Sequence, residues 1–226
     1  MNENIKYYLF YAVAYGIILI LGEVIYRSLK GGPAWSRSFA HVTAGLISLP
    51  FPWLFTSHWW VLILSLQSTL VLWISSRLKV LPSHHTIAVR SAGSYLFFAS
   101  IYTCFTASYF TGRKELFVIP ILVLTFSDVA AALVGRRYGR RTIQWKLSRN
   151  TPGKTYEGSL AFFITAMVVT FLAFYCYLQW GPVRSVPMAL TVALLTTATE
   201  AFSPFGTDNF FVPLTVLIIM QVSYLI

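Results

Sequence analysis

Charge is scarce in this sequence. Asp, Glu, Lys and Arg make up 11% of the 226 residues, and hydrophobic residues 57%. A water-soluble domain carries about 25% charged residues and about 45–50% apolar ones. Polar side chains are therefore too few to cover a surface facing water, which excludes an ordinary cytosolic enzyme, a disordered chain and a nucleic-acid module on a membrane tether. Acids are scarcer than bases, 7 against 17 Lys and Arg. In a soluble protein a net charge of +10 would suggest nucleic acid. In a membrane protein it reports topology, because cytoplasmic loops collect Lys and Arg, and no nucleic-acid partner is expected. Cysteine is nearly absent: Cys104 and Cys176 lie in apolar stretches without CxxC spacing and read as packing residues. Long polar stretches are lacking too, which leaves no room for a separate soluble catalytic domain. Residues 1–226 read as a single integral-membrane catalytic domain, with any chemistry in the bundle or its loops. No GxxxxGK[ST], GxSxG or HExxH motif is present.

What is present is a series of apolar runs, at roughly 7–26, 39–56, 59–75, 91–111, 116–135, 158–180, 188–203 and 209–226. Each span needs about 20 apolar residues, so the expected fold is an all-α, polytopic transmembrane bundle of about eight (7–8) spans. The first run reads as a retained span, since MNENIKYYLF has one lysine and no cleavage site. Pro50 and Pro52 break the second run, and only Thr56, Ser57 and His58 separate it from the third. Eight spans put 13 basic residues on one side and 4 on the other. The rich side belongs in the cytoplasm, with both termini opposite.

Acids are costly in lipid, so their positions carry information. Glu3 and Glu115 lie at loop ends, and Glu23 can reach Arg27 at i+4. The other four are arranged differently. Asp128 lies inside the fifth run, Glu157 opens the sixth, Glu200 ends the seventh and Asp208 opens the eighth. Alternation brings all four to the cytoplasmic face, beside the loop Arg136–Glu157, which holds seven cations and one acid. Asp128, Ala131, Ala132 and Gly135 share one helix face, and Thr196, Thr199, Glu200 and Ser203 form a polar stripe. No span contains a basic residue to pair with Asp128 or Glu200. Carboxylates beside Arg and Lys suggest a metal–polyphosphate site, since Mg²⁺ uses one or two carboxylates plus phosphate oxygens and cations neutralise the remaining phosphate charge.

Three pieces in order, Ser127-Asp128, Gly135-Arg136-Arg137-Tyr138-Gly139 and Lys154-Thr155-Tyr156-Glu157-Gly158-Ser159, resemble the membrane-bound CTP-using superfamily. It includes phosphatidate cytidylyltransferases and the dolichol, phytol/farnesol and CTP-dependent diacylglycerol kinases. Glu200 with Asp208-Asn209-Phe210-Phe211-Val212-Pro213-Leu214 resembles the kinase branch's E…DNxxxPL. Arg37-Ser38-Phe39-Ala40-His41 resembles its RKxxH, with Ser38 where lysine is usual.

The resemblance implies phosphoryl transfer from CTP to the hydroxyl of a lipid alcohol held in the bilayer. It implies Asp128, Glu200 and Asp208 as catalytic residues, with Asp128 and Asp208 as Mg²⁺ ligands and Glu200 or Asp128 as base. It implies Arg136, Arg137, Lys154, Thr155, Glu157, Asn209, Arg37 and His41 at the nucleotide and its phosphates, although acids also favour a helix N-terminus, which suits Glu157 as a cap. Two rivals remain. A CDP-lipid synthase would use the same metal site; Asp208-Asn209…Pro213-Leu214 and the small size speak against it. A transporter for an anionic solute would show internal repeats and charges near the midplane.

Overall fold

The structure, a computed structural model, describes residues 3–28, 32–78, 92–143 and 153–224. Among these, regular structure is helical apart from one isolated antiparallel bridge, Thr142 with Thr155. The helices are α1 (Glu3–Ser28), α2 (Gly32–Ser48), the single turn α3 (Phe51–Leu54), α4 (His58–Leu78), α5 (Gly93–Thr111), α6 (Glu115–Tyr138), α7 (Tyr156–Leu172), α8 (Pro182–Phe202) and α9 (Asp208–Ser223). A π-helical turn, Ala173–Tyr177, extends α7. Every apolar run of the sequence overlaps a helix. Five of the described helices are long and apolar enough to cross a membrane: α1, α4, α6, α7 with its π turn, and α8. Helix α9 is apolar but shorter. Among the expected loop cations, Lys30, Lys79, Arg90, Lys146 and Arg149 lie outside the described residues.

Local chemistry sets the boundaries. Helix α2 stops at Ser48, ahead of Pro50, and Pro52 falls in the first turn of α3, where its missing N–H is no loss. Gly112 takes φ 70° to close α5. Helix α8 begins at Pro182, earlier than the expected 188, because Pro182 suits a first helical turn and Pro187 is accommodated inside the helix.

The chain forms two compact units, Met1–Phe117 and Val118–Ile226. The first has an aromatic core. Tyr11 meets Phe51 edge-on at 4.7 Å, Phe51 stacks on Phe117 at 5.9 Å, and Phe55 meets Phe105 at 6.5 Å. Polar ties hold α1: Asn4 exchanges hydrogen bonds with Thr56 at 2.8 and 3.0 Å, the Tyr15 hydroxyl pairs with Ser48 at 3.2 Å, and the Ser36 hydroxyl donates to the Gly22 carbonyl at 2.6 Å.

The second unit holds the rest of α6 with α7, α8 and α9. Its buried stripes follow helical spacing. They run Gly158, Phe162, Ala166 and Thr170 on α7; Ser185, Ala189, Val192, Thr196 and Glu200 on α8; and Asp208, Val212, Val216 and Met220 on α9. The opposite face of α7 exposes Leu160, Ile164, Val168 and Leu172, so this helix is apolar all round, as a membrane helix should be. Each stripe has its acid or serine at the same end: Ser159 at the start of α7, Glu200 at the end of α8, Asp208 at the start of α9.

Small residues permit the closest contact, as is common between membrane helices. A Cβ on Gly158 would lie 3.0 Å from the Ala131 carbonyl oxygen and 3.3 Å from the Gly135 Cα. Both are backbone atoms of α6 and cannot rotate away. Gly158→Ala should therefore push α7 off α6 and destabilise the protein by about 1–3 kcal/mol, the usual range for overpacking. Thermal unfolding in detergent checks this, and an unchanged midpoint contradicts it.

Candidate active site

The two glycine-rich motifs fold into one turn. Helix α6 ends through Gly139, whose amide donates to the Gly135 carbonyl at 3.0 Å. A Cβ on Gly139 would strike that carbonyl and the Thr155 side chain, so the position requires glycine. The chain then runs antiparallel to the residues before α7. The Ile143 amide donates to the Lys154 carbonyl at 2.7 Å, and the Tyr156 amide to the Arg141 carbonyl at 3.1 Å. Thr155 has extended backbone and caps α7, its hydroxyl oxygen accepting from the Gly158 amide at 3.1 Å. Backbone bonds on both sides thus fix Lys154 at the mouth of the second unit.

From there its ammonium bridges two acids. Lys154 Nζ lies 2.7 Å from Glu200 Oε1 and 2.5 Å from Asp208 Oδ2. The remaining oxygens are engaged as well: the Ser159 hydroxyl donates to Glu200 Oε2 at 3.1 Å, and the Asn209 amide to Asp208 Oδ1 at 3.0 Å. Glu200 is 4% exposed, Asp208 7%, and the Lys154 side chain 26%. Burial alone would push the Lys154 ammonium down. Attraction to Asp208 and Glu200, with hydrogen bonds to both, overcomes this and holds it well above the ordinary lysine range. Lys154 thus stays charged throughout the neutral range.

Asp208 owes its place to a sharp reversal. Phe205 and Gly206 both take left-handed backbone, φ 56° and 82°, and the Thr207 hydroxyl donates to the Pro204 carbonyl at 2.8 Å. Glycine accepts that conformation freely, while a phenylalanine there carries strain of about 1 kcal/mol or more. Helix α9 then starts on Asp208, where the positive end of its dipole favours the carboxylate.

The structure gathers Glu200, Asp208 and Lys154, all expected from sequence. Asp128 is half-buried on α6, and its charge acts on Glu200. Asn209 is buried beside Asp208. Thr155 serves as the α7 cap. Glu157 lies in the first turn of α7, the helix end that favours an acid. With Arg141, Tyr156 and Leu160 it lines an open hollow of about 480 Å³. Arg136 and Arg137 are exposed at the end of α6; Arg136 Nε donates to the Ala132 carbonyl at 2.7 Å, and Arg137 lies over the Tyr138 ring. Arg37 and His41 belong to α2 of the first unit, where His41 packs on Phe97 at 4.7 Å.

Two points escape the sequence reading. Glu200 does have a basic partner, and it comes from just outside a span: Lys154 sits two residues before α7, within reach of acids at helix ends. Ser159, part of the motif, holds Glu200. Its place two residues after Glu157, on the face of Phe162, is the signal that could have found it.

Magnesium, which the family resemblance implies, can be tested against these donors. Among the described residues no three His, Cys, Asp or Glu side chains are gathered to hold an ion by themselves. Two converging carboxylates suit Mg²⁺ when phosphate oxygens and water complete its shell. The donor set thus fits a nucleotide-borne ion and not a protein-only cage.

Lys154→Met would leave two buried carboxylates facing each other. The expected loss is about 3 kcal/mol, the size of a broken buried pair, and adding Glu200→Gln should recover part of it. Thermal unfolding of the single and double variants measures this. Equal midpoints for wild type and Lys154→Met contradict it.

Comparison with known proteins agrees with the site. The profile of the Cytidylyltransferase family matches residues 4–207. The chain is 31% identical over 211 residues to the phytol kinase of Synechocystis sp., covering 93% of this chain and 88% of that protein. It is 32% identical over 118 residues to CTP-dependent diacylglycerol kinase 1 of Saccharomyces cerevisiae, covering 44% of this chain and 39% of the yeast protein. The corresponding Schizosaccharomyces pombe protein is 34% identical over 77 residues, 34% of this chain and 30% of its own. No solved structure matches. The profile match takes in most of the chain, including the turn that presents Lys154 to Glu200, and so the chain belongs to the cytidylyltransferase family.

Proposed function

We propose that this protein is a CTP-dependent kinase that transfers the γ-phosphate of CTP to the hydroxyl of a lipid alcohol at the cytoplasmic membrane face. The observation that carries this reading is the buried Lys154–Glu200–Asp208 cluster at one end of apolar helices. A full-length likeness to a phytol kinase, and partial ones to CTP-dependent diacylglycerol kinases, supports it. Phytol, farnesol or geranylgeraniol, dolichol or another polyprenol, and diacylglycerol all suit such a site. A lipid alcohol keeps its hydroxyl at headgroup level, and the nucleotide arrives from water, so a site at helix ends meets both.

Phosphoryl transfer demands positioning and charge neutralisation more than covalent chemistry. In this reading Asp128 and Asp208, with Glu200 beside them, would hold Mg²⁺, which would supply charge neutralisation on the triphosphate. Lys154, Arg136 and Arg137 contact phosphate oxygens. Asn209 orients Asp208 or bonds the nucleotide. Thr155 and Glu157 hold the start of α7, and with it Lys154, in register. Glu200, buried beside Ser159, or Asp128 takes the alcohol proton as the oxygen attacks phosphorus. The whole of 1–226 acts as one catalytic domain, which agrees with a family profile that crosses both units. Among the described residues eight helices are longer than a single turn, which supports about eight (7–8) spans, and the 13:4 distribution of basic residues supports a cytoplasmic site and both termini opposite.

The family's name supports a second reading, a CDP-lipid synthase in which a lipid phosphate attacks the α-phosphorus and pyrophosphate leaves. Labelled CTP separates the two. A kinase moves γ-label into the lipid and releases CDP. Transfer of α-label with none of the γ-label rejects the kinase. Asp128→Asn and Asp208→Asn should each abolish most activity while the protein still inserts and purifies; full activity at limiting Mg²⁺ contradicts their role. Glu200→Gln should lower turnover more than it raises KM for CTP. Cysteine placed at Ser148 should react with an impermeant reagent only in opened cells, and labelling of intact cells reverses the orientation.

A further inference from the structure

We propose that Lys154 is a competing cation: its ammonium and a divalent metal ion contend for the same oxygens of Glu200 and Asp208, so the site binds the metal well only together with a polyanion that draws the lysine away. This rests on the kinase reading for the identity of the polyanion, a nucleoside triphosphate. The competition itself rests on geometry alone.

Glu200 Oε1 and Asp208 Oδ2 both point at Nζ, at 2.7 and 2.5 Å. Their other oxygens are taken by the Ser159 hydroxyl and the Asn209 amide. An ion joining the two acids would therefore use the pair of oxygens that now hold the ammonium, at about 2.0–2.1 Å for Mg²⁺. Both cannot be there. Charge leads to the same conclusion. Two carboxylates and one ammonium sum to −1, whereas adding a dication with the lysine in place would set a unit charge against a double one within a few ångströms, in a setting that screens poorly.

The backbone can stay in place when the lysine side chain leaves. The main chain around it is fixed by the Ile143–Lys154 and Tyr156–Arg141 bonds and the Thr155 cap. The side chain is an unbranched stem carrying a point charge, free to turn from carboxylate to phosphate. What holds the lysine in place is its pair of contacts with Glu200 and Asp208. Among the described residues no third acid closes a protein-only metal site, so phosphates supply both the missing ligands and the lysine's new partner. The consequence is coupling: metal alone binds weakly, and metal with triphosphate binds well.

Mn²⁺ is the probe, titrated by electron paramagnetic resonance into the full chain in detergent, with neither nucleotide nor lipid. Lys154→Gln should bind Mn²⁺ about tenfold or more tightly than wild type, the effect of removing one competing charge-assisted hydrogen bond. Lys154→Arg should bind as weakly as wild type. Equal Mn²⁺ affinity in wild type and Lys154→Gln overturns the proposal. A second measurement needs no variant. Reductive methylation of wild-type lysines is followed by mass spectrometry, with Lys114, whose ammonium lies over the Trp53 ring, as internal reference. Saturating Mn²⁺ alone should speed methylation of Lys154 several-fold relative to Lys114, and an unchanged ratio overturns the proposal. Neither readout contains CTP or lipid. Tighter Mn²⁺ binding in a protein that phosphorylates no lipid refutes the kinase reading alone, and a working kinase with unchanged Mn²⁺ binding refutes this inference alone.

Discussion

Two buried acids and the half-buried lysine between them, at the end of an apolar helix bundle, are the constraint to which the rest of the second unit answers. A buried carboxylate is tolerated only when it is paired and its oxygens are hydrogen-bonded. Glu200 and Asp208 meet both conditions through Lys154, Ser159 and the Asn209 amide. Their attraction for one ammonium ties the start of α7, the end of α8 and the start of α9 together. The association needs no apolar driving force, which lipid does not supply between helices.

The glycines serve that same constraint. Lys154 can reach both acids only if the start of α7 lies against α6, and Gly135, Gly139 and Gly158 remove the atoms that would keep them apart. Thr155 then satisfies an amide at the new helix end, and Phe205-Gly206 turn the chain so that α9 begins on an acid. A site held this tightly by its own counter-ion is stable, but its acids become available to another cation only by exchange. Stability of the fold and readiness for a metal–nucleotide complex thus pull on the same lysine.

Much of this was legible in the sequence. Apolar runs marked the main described helices because a membrane helix is apolar on every side. The scarcity of acids made Asp128, Glu200 and Asp208 conspicuous. What stayed hidden depends on three-dimensional reach. Composition within the spans suggested that Glu200 lacked a basic partner, yet a lysine just before a helix lies at the same depth as an acid just before a helix end. Ser159 looked like one motif residue among several until its hydroxyl was seen on Glu200. Pro187 gave no sign that α8 starts at Pro182, since proline inside a membrane helix is tolerated when neighbours meet the freed carbonyl. Span number is the least legible feature, because α2 with α3, and α9, are short.

The central claim is that this lysine–acid cluster is where the nucleotide's phosphates are handled. Its most direct test is an experimental structure of the full chain with CTP and Mg²⁺. The account predicts the triphosphate at the ends of α7, α8 and α9, with Lys154 on a phosphate oxygen and Asp208 on the metal. A triphosphate bound elsewhere, with Lys154 still between Glu200 and Asp208, would contradict it.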